Sequence, residues 1–201
     1  MIRILGKIPR DVTVACSGGI DSMVVLDFLR NGKKNVQVAH FNHGTVHARE
    51  AEEVVLSYCR KHNVPITIGR LSKERPPRLS IEEFWRNERY NFFRSLKGPI
   101  ITAHHLNDVI EWWIFTSLHG ESKIIPYERP DCNVIRPFLM TNKSTLYRWA
   151  NKNEVPYADD PSNDDDSFMR NHIRNNMIEM SLKVNPGLEK TMIKKIEKEY
   201  S

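Results

Sequence analysis

Cysteine is scarce in this chain: Cys16, Cys59 and Cys132 stand far apart, and no CxxC pair occurs. Such a set supplies neither a disulfide framework nor the ligands of a structural zinc site, so reduced thiols are expected. Long apolar runs are missing too. No stretch approaches the ~18–20 uninterrupted apolar residues of a membrane-spanning helix, and Met1 to Arg10 lacks the charged-then-apolar layout of a signal peptide. A cytoplasmic protein with no membrane partner is the expectation. Internal repeats and low-complexity tracts are also absent, which leaves an ordinary globular chain.

What is present is enough for one sizeable core with a small appendage: 201 residues, of which 40% are apolar and 9% aromatic. The formal charge is +5, and it is unevenly placed. Residues 1–100 carry 17 Lys/Arg against 10 Asp/Glu, whereas 101–201 carry 13 against 15. Clustered cations gain from counterion release on a polyanion, so a nucleic-acid partner fits this balance without being required by it.

Short apolar runs at Val12–Cys16, Val36–Ala39, Pro65–Ile68 and Pro99–Ala103 alternate with helically spaced stretches at Asp21–Asn31, Ala48–His62, Ile81–Leu96 and Asn107–Leu118. This alternation predicts an α/β fold, a Rossmann-like parallel sheet flanked by crossover helices. Val134–Phe138 followed by a helix over Lys143–Lys152, capped by Asn142 or Ser144, is expected to close the sheet edge. Pro186–Ser201 reads as a last amphipathic helix with Leu188, Met192, Ile193 and Ile196 on one side. Residues 1–140 are therefore expected to form the main domain and 141–201 a helical C-terminal extension. Lys73–Arg78, rich in charge and proline, is expected to be a mobile loop.

Chemistry concentrates at Ser17-Gly18-Gly19-Ile20-Asp21-Ser22, where an apolar strand turns into a helix. Glycines let a ligand approach the main chain, and the unpaired amides of a helix start favour a phosphate. Ser17 and Ser22 add hydroxyl donors. Asp21 would repel phosphate unless it binds Mg²⁺ or caps an amide, and the metal role fits it better. A bare Gly-Gly would be an ordinary turn; six specified positions in this setting point to a nucleotide.

Asp108 and Glu111 lie three apart at a helix start and so share a face. Alone they would satisfy the helix dipole; beside a strand end in a nucleotide crevice they can hold an ammonium or Mg²⁺, and one can act as a base. Arg86 and Arg89, spaced i,i+3, either face the crevice or lie on an exposed helix. Arg170 and Arg174, spaced i,i+4, can pair with Asp164–Asp166 or bind a phosphate or carboxylate. His40, Asn42 and His43 read as nucleotide-side or loop-ordering residues, and Trp112 and Trp113 as packing residues.

The phosphate loop resembles the SGGxDS signature of the PP-loop ATP pyrophosphatases. Four more blocks follow in order: His40-Phe41-Asn42-His43-Gly44, Ile81 to Tyr90 with its Arg89-Tyr90 pair, Thr102 to Glu111, and Asp159-Asp160-Pro161-Ser162-Asn163 with Arg170-Asn171 and Arg174. Together, over about residues 10–180 of the chain, they resemble the tRNA(Ile)-lysidine synthetase family. The resemblance implies ATP and Mg²⁺ as cofactors, with isoleucine tRNA bearing a CAU anticodon and free L-lysine as partners. ATP would adenylate the C2 oxygen of the wobble cytidine, and lysine would displace AMP to give lysidine.

Carried over residue by residue, Asp21, Arg89, Asp108, Glu111 and Arg170 become catalytic. Ser17, Gly18, Gly19, Asp21, Ser22, His40, Asn42 and His43 bind ATP, while Arg86, His104, His105, Asp108, Glu111, Arg170 and Arg174 meet lysine or tRNA. The family usually has an Asp pair where this chain has Asn107-Asp108, and its longer members carry C-terminal tRNA-binding domains. A second subunit is one way to complete tRNA binding. Two other readings stand beside this one. A PP-loop thiolase would need paired cysteines, which are absent; a non-catalytic relic would have no need of both a phosphate loop and distant carboxylates.

Overall fold

In a computed structural model of the protein, residues 1–45, 47–159 and 169–200 are described. Six strands form one sheet in the order β3-β2-β1-β4-β6-β5. These are β1 (Asp11–Ala15), β2 (Asn35–Asn42), β3 (Ile66–Arg70), β4 (Ile100–Ile101), β5 (Glu128–Arg129) and β6 (Val134–Ile135). All pairings are parallel except that of β5 with β6. The α/β architecture expected from the alternation is therefore present, with helices flanking a mostly parallel sheet.

Strand β1 pairs with β2 on one side and β4 on the other, Val14 opposite Val38 and Ile101 respectively. The chain thus leaves β1 in one direction and β4 in the other. Such a switch point opens a crevice at the carboxyl ends of the strands.

Helix α1 (Ile20–Asn31) is apolar nearly all round, with Met23, Val24, Val25 and Leu26 fully buried between the sheet and α5 (Lys143–Asn153). Its one buried acid, Asp27, is saturated. It accepts hydrogen bonds from the Tyr58 hydroxyl (2.7 Å), the Trp149 indole (2.8 Å), Asn31 (2.9 Å) and Arg30 (3.2 Å). That one carboxylate ties α1 to α2 (Ala48–His62) and α5. Helix α3 (Ile81–Ser95) starts at Ser80, whose side chain accepts from the Glu83 amide, and α5 starts at Asn142, which accepts from Thr145.

A second core joins α4 (Leu106–Leu118) to α8 (Leu188–Tyr200) through Leu106, Ile110 and Ile114 against Leu188, Met192 and Ile196. Between them run α6 (Met169–His172), a π-helical turn (Ile173–Met177) and α7 (Ile178–Val184). Helix α5 packs on α1 in the first core, whereas the π-helical turn, α7 and α8 belong to the second.

The differences from the sequence expectations have simple causes. Strand β4 is only two residues long because the chain turns off at Thr102 toward α4. The edge is formed by β5, not by the Val134–Phe138 unit, since a charged two-residue strand leaves no period-two signal. Lys73–Arg78 has no regular structure and is exposed, with Lys73 paired to Glu88 at 3.2 Å. The three cysteines are free and buried, and among the described residues no helix is long and apolar enough to cross a membrane.

Candidate active site

The loop after β1 is held in shape by its own hydroxyls. Ser22 is buried; it donates to the Gly19 carbonyl at 2.9 Å, accepts from the Ser17 amide at 3.1 Å and sits 3.2 Å from the Ser17 hydroxyl. Gly19 is the N-cap of α1, extended and without a side-chain cap, so the first-turn amides remain available for an anion. Gly18 has φ +96°, and a Cβ there would stand 2.8 Å from the Ala51 carbonyl oxygen of α2. From the other side, the Ala158 amide donates to the Gly18 carbonyl at 3.0 Å. The loop is gripped at this residue by two distant segments.

Next to it runs an alternating series of charges. An Asp21 carboxylate oxygen lies 3.4 Å from His105 Nε2, while its Oδ1 is buried with no partner. Among the described residues no side chain caps the start of α1, and this unsatisfied oxygen beside it suits a cation shared with phosphates. A Mg²⁺ ion of that kind takes one or two carboxylates plus phosphate oxygens and water, and Asp21 offers the carboxylate. His105 precedes α4; its amide donates to Asp108 at 2.8 Å and its Nδ1 lies 3.4 Å from the same carboxylate. Burial opposes charge on His105, but Asp108 and Asp21 outweigh it and raise its pKa. Burial also acts against the Asp108 carboxylate, yet the histidines, Arg174 and the His105 amide hold it below the usual range.

One turn on, Glu111 is only 3% exposed. Arg174, carried by the π-helical turn, donates from Nε to its Oε2 at 2.9 Å, places Nη2 2.7 Å from the same oxygen and reaches Asp108 at 3.4 Å. Arg170 stands 3.6 Å from the other Glu111 oxygen, its guanidinium 5.2 Å from the Trp112 ring centre. Burial raises the Glu111 carboxyl above its ordinary range while Arg174 pulls it back. The i,i+4 arginines thus meet the paired carboxylates of α4, a partnership not foreseen from the sequence. Asp160–Asn163 and Asp164–Asp166 lie outside the described residues.

Asp108, Glu111, Trp112, Arg170, Arg174 and His104 line a cavity of about 180 Å³ together with Arg86, Arg136, Ile125 and Pro126. His104 bonds through Nδ1 to the Thr102 hydroxyl at 2.8 Å. Burial, opposed by Asp108 and reinforced by Arg136 and Arg89, pushes its pKa down to about 3, so it is neutral near pH 7. Arg136 was not singled out from the sequence, although a charge inside the apolar run Val134-Ile135-Arg136-Pro137-Phe138 is a usable signal. Asn107 accepts from the Lys143 amide at 3.0 Å and so anchors the start of α5.

The remaining residues divide between ordering and lining. His40 is buried with Nδ1 2.9 Å from the Cys16 carbonyl, and Asn42 donates to Glu52 at 2.6 Å while accepting from the Gly44 amide at 2.8 Å. Both spend these bonds on the chain itself. His43 lies between Phe41 and Trp85, and burial with nearby Arg89 and His40 takes its pKa down to about 4. Arg86 and Arg89 both flank Tyr90, at 5.7 and 5.9 Å from its ring centre, and Arg86 alone of the two lines the cavity. Trp112 is half-buried at the cavity wall, packs against the second core as expected and stacks on Phe115.

Known proteins resemble this chain in sequence or in fold. The chain is 30% identical over 197 residues to the tRNA(Ile)-lysidine synthase of Persephonella marina, an alignment covering 90% of this chain and 44% of that protein. It is 33% identical over 195 residues to the tRNA(Ile)-lysidine synthase of Thermotoga maritima, covering 89% and 47% respectively. The chain thus spans less than half the length of these curated relatives. Among solved structures, the NH3-dependent NAD synthetase of Campylobacter jejuni matches with a TM-score of 0.53 at 16% identity, over 96% of this chain and 86% of that one, a likeness of fold alone. The family model of the PP-loop domain matches residues 4–181, which include the loop after β1, the α4 carboxylates and the arginines that meet them, and the chain belongs to that family.

Proposed function

We propose that the protein ligates free L-lysine to the C2 position of the wobble cytidine of an isoleucine tRNA, using ATP and passing through an adenylated tRNA. One observation carries the reading: Asp108 and Glu111 stand a turn apart beside the phosphate loop, on the wall of a cavity the size of a small metabolite. The names of the relatives support it.

The first-turn amides of α1 bind phosphate, and Asp21 with its free oxygen would hold Mg²⁺. When bound, that ion neutralises charge on the departing pyrophosphate. Asp108 and Glu111 receive the amine in place of Arg174, whose guanidinium occupies the position of a substrate ammonium. Glu111, its carboxyl raised by burial, is the better proton acceptor for the attacking amine, while Asp108 keeps its negative charge. Binding of tRNA is assigned to the cation-rich first half, including exposed Lys73, Arg75 and Arg78.

The test combines the full chain with ATP, Mg²⁺, labelled lysine and bulk tRNA. Label on RNA and release of AMP are expected to need all four, and Asp108→Ala is expected to abolish both while sparing tRNA binding. AMP release without label on RNA would move the acceptor to another molecule. A fully active Asp108→Ala protein would refute the assignment.

A further inference from the structure

The lining of the cavity at Asp108 and Glu111 includes two further cations, Arg136 and Arg86, that the chemistry of the amine does not use. Arg136 is only 4% exposed; it donates to the Pro126 carbonyl at 2.6 Å and to the Tyr90 hydroxyl at 3.4 Å, and its Nε is buried without a partner. Among the described residues no carboxylate pairs with it, nor with Arg86 on the same rim, although Asp108 and Glu111 border the same space. Those two acids are already answered by Arg174. A buried guanidinium without a counter-charge is costly, and a ligand anion removes that cost.

The space suits one kind of molecule. At about 180 Å³ it falls below the ~300–1,000 Å³ of pockets that enclose drug-sized ligands, so it holds something small. Trp112, Ile125 and Pro126 add apolar surface to a lining that carries both acids and arginines, which matches a methylene chain with opposite charges at its ends.

We propose that Arg136 binds the α-carboxylate of the amino acid whose ammonium is received at Asp108 and Glu111, with Arg86 closing the same end. The proposal rests on the amino-acid acceptor reading above and adds the residue that distinguishes an amino acid from a simple amine. Lysine and 1,5-diaminopentane share the chain and the terminal ammonium, and only lysine has the carboxylate. A charge-assisted hydrogen bond of this kind corresponds to a preference of roughly tenfold or more for lysine.

The experiment titrates L-lysine, L-lysine amide and 1,5-diaminopentane into the full chain and into Arg136→Gln, with folding followed by circular dichroism and a thermal melt. The wild type is expected to prefer lysine to both analogues by about tenfold or more, and Arg136→Gln to lose that preference while its affinity for the diamine stays unchanged. Should Arg136→Gln fail to fold, Arg136→Lys serves, with the preference reduced because its point charge lacks the planar fork. A variant that keeps the full preference overturns the role of Arg136 and leaves the lysine reading standing. Kept preference with weakened tRNA binding in the same variant overturns it too, and places an RNA phosphate on this residue. A wild type that binds neither lysine nor the diamine overturns the acceptor reading and this inference with it.

Discussion

Cutting the contact between Arg174 and Glu111 tests the geometry of the site without any substrate. The contact is close, at 2.7 and 2.9 Å, and the carboxylate is almost wholly buried. Removing one partner of a buried pair costs ~3–5 kcal/mol. Here Arg174 keeps a third of its side-chain surface in water, and Arg170 stands 3.6 Å from the same carboxylate. Both reduce the loss, so Arg174→Gln is expected to cost about 1.5–2.5 kcal/mol. For a chain of this length that lowers the melting temperature by about 3–10 °C.

Glu111→Gln keeps the shape and leaves Arg174 with Asp108, so it is expected to cost about 1 kcal/mol. Urea unfolding of the wild type, the two single variants and the double variant gives the coupling energy, expected at about 1–2 kcal/mol with unchanged slopes. A coupling below about 0.3 kcal/mol would refute the reasoning, because the guanidinium would then not meet the carboxylate in solution and could not stand in for a substrate ammonium.

Three further outcomes follow from other parts of the molecule. Gly18→Ala puts a Cβ against the Ala51 carbonyl at a left-handed φ, so binding of a non-hydrolysable ATP analogue, read by calorimetry, is expected to fall at least tenfold; unchanged binding would refute the role given to this turn. Asp27→Asn replaces an acceptor-only group by an amide that cannot serve all four donors, for an expected loss of about 2–4 kcal/mol in urea unfolding and a shift in Trp149 emission. His104 and His43 are held neutral with pKa values of about 3 and about 4, below the ~6.5 of an unfolded histidine, so the unfolded chain binds more protons between these limits. Stability should therefore fall as the pH drops from about 6.5 toward 4, by roughly 1–2 kcal/mol per histidine at pH 5, and His104→Gln should flatten that slope.

Helices α1 to α5 were legible almost to the residue because their signals are local. Ala48–His62 is bounded as the spacing predicts, and Asn142 rather than Ser144 caps α5. Strands β1 to β3 could be read because each is apolar and followed by a helix; β5 could not, because two charged residues pair only through the contacts of a finished sheet. At the site, the phosphate loop is marked by its six specified positions, and the α4 carboxylates by their spacing only together with their place after a strand end. Whom Arg170 and Arg174 meet depends on how α6 and the π-helical turn pack on α4, a long-range fact with no periodicity to announce it. Arg136 has no spacing signal of its own: it is one cation in an apolar run, and its meaning lies in the Tyr90 and Pro126 groups it reaches.

The grip on Gly18 has a consequence for how the nucleotide loop can be treated as a unit. Its backbone is touched by Ala51 from α2 and bonded by Ala158 from beyond α5, and those two helices are themselves joined through Asp27. The hexapeptide Ser17 to Ser22 is thus not a portable cassette. Transplanted to another strand-helix junction, it would keep its sequence and lose the two walls that set its curvature. In the other direction, a domain graft or circular permutation must carry Ala51 and Ala158 along with it, however far from the signature they lie in the chain.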